Sequence, residues 1–106
     1  MDVVKEQNIR EKVEVYFKKK SEDDLFEIHL ILAKEIPSLV KQLPFLKLPR
    51  LPINPEYGED PEGLREKVVQ AHIQILKAIQ ELPGPAIPSV TRQLSKKPLR
   101  YFLKLL

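Results

Sequence analysis

Prolines divide this chain into segments that can be helical and segments that cannot. Ten prolines occur in 106 residues, and four of them fall within residues 44–55. Proline fixes φ and lacks the backbone N–H that a helix needs, so this stretch cannot be helical. It contains neither glycine nor serine, the residues typical of flexible linkers.

The proline-rich segment is rich in apolar side chains, which favours packing over free exposure to water. We predict that residues 44–56 form an extended strap running back along the preceding helix. The alternative is a groove-binding peptide for a partner. The side chains expected to make the contacts are Leu46, Leu48, Leu51 and Ile53.

Two long amphipathic helices are predicted on either side of this strap. Ser21 is a good N-cap and three acids follow it, while Asp60-Pro61-Glu62 is a second helix start. Pro37 lies inside the first pattern and should kink or break that helix near residues 33–36. The side chains predicted to define the two buried stripes are Leu25, Ile28, Leu32, Ile36, Val68, Ile75 and Ile79.

The N-terminal residues 2–19 fit two kinds of secondary structure. Ile9, Val13 and Phe17 recur at helical spacing, whereas Val13, Val15 and Phe17 alternate with charged residues as in a strand. We favour a helix, because a single strand would need a pairing partner. The strand alternative would make a homo-oligomer possible through pairing between two copies.

These patterns predict an all-α fold, a small irregular bundle of about four helices with the strap between helices 2 and 3. Residues 1–106 are expected to form a single helical domain. Apolar residues make up 42% of the chain and charged residues 31%, which excludes wholesale disorder.

Cysteine is absent, so no disulfide can staple the fold. The N-terminus lacks the apolar run of a signal peptide, and no stretch is apolar enough to cross a membrane. We therefore expect a cytoplasmic protein without membrane insertion. Frequent lysine and glutamate and proline-rich loops are also typical of thermophilic sources.

No motif of a catalytic or cofactor site is present. The serines do not stand in a nucleophile-elbow sequence, and the three glycines cannot form a phosphate-binding loop. His29 and His72 lie on or beside apolar stripes, where a zinc site would need further ligands. We expect no enzyme activity, no cofactor and no metal.

The basic and acidic residues are distributed unevenly. No acidic residue follows Glu81, so the segment 90–106 is basic. Its apolar residues recur at helical spacing, so the segment is also amphipathic. It is predicted to be a last helix that packs Leu99, Phe102 and Leu106 on the bundle, a peptide that binds a protein partner, or a nucleic-acid contact with Tyr101 available for stacking. The basic residues assigned to an acidic partner or to nucleic acid are Arg92, Lys96, Lys97, Arg100 and Lys104.

Within this segment, Lys96–Leu103 resembles the sliding-clamp-binding box of replication proteins. Leu99 and Phe102 match the aliphatic fourth and aromatic seventh positions, whereas Lys96 replaces the glutamine and Leu103 the second aromatic. The resemblance implies a protein partner in DNA replication. The residues predicted to bind a partner are Leu99, Tyr101, Phe102, Leu103 and Leu106.

The function expected from the sequence is therefore that of a non-catalytic accessory or adaptor subunit in a larger intracellular assembly that processes nucleic acid. The alternative is direct nucleic-acid binding through the basic C-terminal segment. We expect this segment to serve partner contact more than stability, so that a chain lacking residues 95–106 would still fold.

Overall fold

The computed structural model describes residues 3–42, 61–96 and 98–106, and the regular secondary structure in these parts is entirely helical. Within these ranges the all-α prediction is confirmed, with four helices of eight or more residues and one of four. The predicted strap, residues 44–56, and Lys97 lie outside the described residues. The helices are α1 Val3–Lys18, α2 Glu22–Gln42, α3 Pro61–Gln80, α4 Ile87–Leu94 and α5 Phe102–Leu105, with a 3₁₀ turn at Gly84–Ala86.

Helix α1 settles the N-terminal alternatives in favour of a helix, and the strand interpretation is wrong. Ile9, Val13 and Phe17 form one buried stripe, whereas Val15 is 71% exposed. A strand would have buried Val13, Val15 and Phe17 together. The helical stripe faces α3, which packs along α1.

Helix α2 begins at the predicted cap, where Ser21 Oγ accepts a hydrogen bond from the Asp24 amide at 3.2 Å. The helix then continues through Pro37 to Gln42, so of the kink or break predicted there, the break is wrong. Pro37 lies on the exposed face, while Ile36 and Leu39 are buried on the other side. Burial of these side chains offsets the hydrogen bond that proline removes.

Helix α3 is the central element, since both α1 and α2 pack against it. Arg65 at its start lies beside the end of α1, whereas Gln80 at its end lines a groove with Asn8, so α1 and α3 are antiparallel. The predicted stripes are confirmed at six positions that are at most 6% exposed, and Ile28 is half-buried. The six are Leu25, Leu32, Ile36, Val68, Ile75 and Ile79.

The Arg65 guanidinium ties α3 to the end of α1. It donates to the carbonyl oxygens of Phe17, Lys18 and Lys20, the last at 3.1 Å, and its Nε lies 3.6 Å from a carboxylate oxygen of Glu62. Carbonyls at a helix C-terminus have no partner within the helix, and the negative end of the dipole favours a cation there. Arg65 therefore fixes the end of α1 and the turn into α2 against α3.

Replacing Arg65 with glutamine should lower the free energy of unfolding by about 1.5–3 kcal/mol, because hydrogen bonds from a charged donor are lost. Urea unfolding followed by circular dichroism measures the change. Arg10→Gln is the matched control, since Arg10 makes only an exposed pair with Glu14 among the contacts described, and it should cost less than about 1 kcal/mol. Equal costs for the two variants would show that the guanidinium does not hold the helix end.

None of the described helices is both long and apolar enough to span a bilayer.

Candidate partner-binding surface

The last part of the basic segment, residues 98–106, is called the C-terminal segment from here on, and it docks on the helical bundle through one row of side chains. Leu99, Phe102 and Leu105 are buried, with Phe102 completely inaccessible. Contacts with α1 and α4 hold α5 in place. Two residues predicted from the sequence to bind a partner, Leu99 and Phe102, therefore lie in the core in this conformation.

The backbone of this segment explains which side chains are buried. The amides of Leu99, Phe102, Leu103 and Lys104 each donate to a carbonyl three residues earlier, the pattern of a 3₁₀-type turn. With three residues per turn, every third side chain shares a face. Positions 99, 102 and 105 therefore face the core, and the expectation that Leu106 completes the buried stripe is wrong, since Leu105 does so.

The docking contact is a cluster of five rings from three parts of the chain. The His72 ring centroid lies 4.6 Å from that of Phe17 and 4.9 Å from that of Phe102, on which it stacks. Tyr101 stacks on Tyr16 at 5.9 Å between centroids. Offset and edge contacts of this kind stabilise beyond the burial of area alone. The cluster joins α1, α3 and the C-terminal segment.

Two hydrogen bonds fix the tautomer of His72 at the centre of this cluster. Nδ1 lies 2.7 Å from the Val68 carbonyl oxygen, which can only accept, so Nδ1 carries the proton. Nε2 of the neutral ring then accepts from the Tyr101 hydroxyl at 2.6 Å. Tyr101 therefore anchors the segment by both its ring and its hydroxyl.

Burial controls the protonation of both partners in this bond. Desolvation lowers the pKa of His72 from 6.5 to about 4, although the bond to Val68 opposes the shift. Desolvation, with a smaller contribution from Tyr16, raises the pKa of the Tyr101 hydroxyl. At neutral pH the imidazole is uncharged and the phenol keeps its proton, which is the arrangement that the hydrogen bond requires.

The outer side of the segment presents apolar and basic side chains together. Arg100, Leu103 and Leu106 form the next row at three-residue spacing, and all three are exposed, the two leucines at 36% and 37%. We call these three residues the outer row. The other exposed basic residues assigned from the sequence are Arg92, Lys96 and Lys104.

The sequence did not identify the surface on which the C-terminal segment docks. Tyr16, Phe17 and His72 form this surface. The available signals were a histidine on an apolar stripe of α3 and adjacent aromatics near the end of α1. Neither signal indicates its partner, because the His72–Tyr101 contact joins residues 29 positions apart.

No group of three or more histidine, cysteine, aspartate or glutamate side chains is placed to hold an ion within residues 3–42, 61–96 and 98–106. Both nitrogens of His72 are already engaged by Val68 and Tyr101, so this ring is not oriented to ligate a metal. Comparisons of the chain with protein-family models, with curated proteins and with solved structures found no match.

Proposed function

We propose that this protein is a non-catalytic accessory or adaptor subunit that binds an acidic surface of a protein partner through its outer row and the flanking basic residues. The observation that carries the proposal is the division of the C-terminal segment into two rows. One row is held in the core by Leu99 and Phe102, and the other leaves Leu103 and Leu106 exposed beside Arg100. On this proposal the buried row holds the segment on the bundle while the outer row contacts the partner.

The composition of the outer row favours a protein over a nucleic acid. Exposed aliphatic side chains between basic ones suit an interface with an apolar centre and a polar rim. Binding of single-stranded nucleic acid uses aromatic rings on which bases stack. The aromatic residue assigned to that role, Tyr101, already stacks on Tyr16 and donates its hydroxyl to His72.

The assembly that we propose for this partner is intracellular and handles nucleic acid, in keeping with the resemblance of Lys96–Leu103 to the sliding-clamp-binding box. Leu99 and Phe102, the two matching positions, are buried here. A clamp-like partner would therefore have to draw the segment out of the core, whereas the outer row is accessible without any rearrangement.

The proposal predicts that partner binding depends on local charge. Recovering the tagged full chain from its native cells after nuclease treatment should yield one stoichiometric protein. The triple variant Arg92→Gln, Arg100→Gln, Lys104→Gln should lose that protein about tenfold or more, because each lost exposed ion pair removes roughly 0.5 kcal/mol or more and about 1.4 kcal/mol is a tenfold change in affinity. Quantitative mass spectrometry of the recovered material measures the loss.

A control variant with the same change in net charge separates local from overall electrostatics. Lys18→Gln, Lys34→Gln, Lys41→Gln alters exposed lysines elsewhere and should retain the partner. Equal loss in both variants would contradict a specific surface. Recovery that disappears on nuclease treatment, with wild-type binding to a 20-nucleotide oligonucleotide that falls steeply with salt, would favour the nucleic-acid alternative.

A further inference from the structure

A groove opens where four helices meet. Its described lining comes from α1, the end of α3, the start of α4 and α5, and its volume is about 380 Å³, within the range of ligand-binding clefts. Ile9 and Leu105 are almost fully buried and form the floor, whereas Ile87 is 41% exposed and forms a wall. The polar side chains at the rim are Asn8, Lys12 and Gln80.

Lys12 is the charged side chain among the described residues that line this groove. Along α1, the residues three and four positions away from Lys12 are Asn8, Ile9, Val15 and Tyr16, so no carboxylate on the same helix face neutralises it. The rim therefore offers a positive charge and amide groups above an apolar floor. This combination fits a branched aliphatic side chain that has a carboxylate next to it.

A second groove of about 390 Å³ between α1 and α3 has the opposite charge character. It is lined by Val15, Val69 and three glutamates, with Lys18 and Arg65 at one end. An acidic partner would be repelled by the glutamates there. Of the two grooves, charge complementarity with the proposed partner thus favours the one that contains Lys12. The three glutamates are Glu11, Glu14 and Glu66.

We infer that the Lys12 groove receives one branched aliphatic side chain of the acidic protein partner, with an adjacent carboxylate paired to Lys12. The inference rests on the proposed function and extends the interface from the outer row across Leu105 to Ile87. Leu105 lines the groove and is followed directly by Leu106 of the outer row, so the C-terminal segment contributes to both regions. The groove supplies a buried anchor site, which the exposed side chains of the outer row do not.

The test uses N-acetyl-leucine, which combines the side chain and the carboxylate, in an NMR titration of the full chain labelled with ¹⁵N. The largest amide shifts should fall at Asn8, Lys12, Gln80 and Ile87 and should saturate at millimolar concentration. The neutral analogue N-acetyl-leucinamide should bind about threefold more weakly, because it lacks the pair with Lys12. Absence of shifts, shifts centred on Val15 and Glu66, or equal affinity for the two compounds would overturn the inference.

Two variants with a matched control complete the experiment. Lys12→Gln should remove the preference for the acid over the amide, and Ile87→Asn should weaken both compounds about fivefold or more through the lost apolar contact. Val15→Asn makes an equivalent change in the other groove and should alter neither affinity. Circular dichroism of each variant checks that the helices are retained. If Ile87→Asn loses helix content, Ile87→Val is titrated in its place. This variant keeps the apolar wall and should bind both compounds within about twofold of wild type.

The same variants distinguish failure of this inference from failure of the proposed function. If Ile87→Asn and Lys12→Gln recover the native partner fully while the Arg92, Arg100 and Lys104 variant loses it, the groove assignment is wrong and the outer-row proposal stands. If the basic triple variant keeps its partner as well as Ile87→Asn and Lys12→Gln, both the groove assignment and the outer-row proposal are wrong. Loss of the partner in all three supports a continuous interface.

Discussion

Replacing Phe102 with alanine should lower the free energy of unfolding by about 3–5 kcal/mol, the largest single effect expected for this chain. Phe102 is completely buried, stacks on His72 and lies 4.8 Å from Tyr101 between ring centroids. Its removal opens a cavity at the junction of α3 and the C-terminal segment. Urea unfolding of wild type and variant measures the difference.

Leu103→Ala is the matched control for Phe102→Ala, because Leu103 is the adjacent residue and belongs to the outer row. It should change the free energy of unfolding by no more than about 0.5 kcal/mol, as is usual for surface substitutions. A cost for Phe102→Ala as small as that for Leu103→Ala would mean that the segment does not dock as described.

The free energy of unfolding should decrease as the pH falls from about 6.5 to about 4, by up to about 3 kcal/mol in total. Burial lowers the pKa of His72 from 6.5 to about 4 in the folded protein. Between these values the unfolded chain binds a proton that the folded protein does not, so acid favours unfolding. The contribution is complete above about pH 6.5 and is lost as the pH approaches 4.

Two measurements assign this pH dependence to His72. Its ring resonances in the folded protein should titrate near pH 4, and the difference in stability between wild type and His72→Gln should shrink as the pH falls through the interval. Titration of His72 near 6.5 would contradict its burial beneath Tyr101 and Phe102. A protonated ring would also donate from Nε2, which conflicts with the hydrogen bond now donated by the Tyr101 hydroxyl.

The burial of the C-terminal segment changes what we expect from its deletion. Removing residues 95–106 takes Leu99, Phe102 and Leu105 out of the core together. We therefore expect a strongly destabilised chain, in contrast to the folded domain anticipated from sequence alone. Substitutions confined to exposed residues are the appropriate test of partner binding.

Periodicity predicted the long helices well because their apolar stripes repeat over many turns. In α2 and α3, a buried face recurs so often that single irregularities such as Pro37 do not alter the pattern. In α1 the alternation of Val13, Val15 and Phe17 made a strand possible, and only packing against α3 decides between the two. Val15, exposed at 71%, shows which residue of that alternation faces water.

Short segments and long-range contacts could not be predicted in the same way. Helical spacing placed Leu106 on the buried side, but after Pro98 the backbone bonds at three-residue intervals and buries Leu105. Docking of the C-terminal segment on the bundle determines this backbone geometry. The docking depends on Tyr16 and His72, which are remote from the segment in sequence. The role of Arg65 could not be predicted from the sequence either, because one arginine in a charged helix does not indicate that it caps another helix.

The most direct test of the proposed surface is hydrogen–deuterium exchange of the full chain, free and in the complex recovered from its native cells. Exchange should slow in the complex at the outer row, Arg100, Leu103 and Leu106, while Phe102 stays as protected as in the free protein. That result would mean that the partner binds the docked segment. Faster exchange at Phe102 and Leu105 would show that the partner extracts the segment, and unchanged exchange throughout residues 98–106 would show that it binds elsewhere.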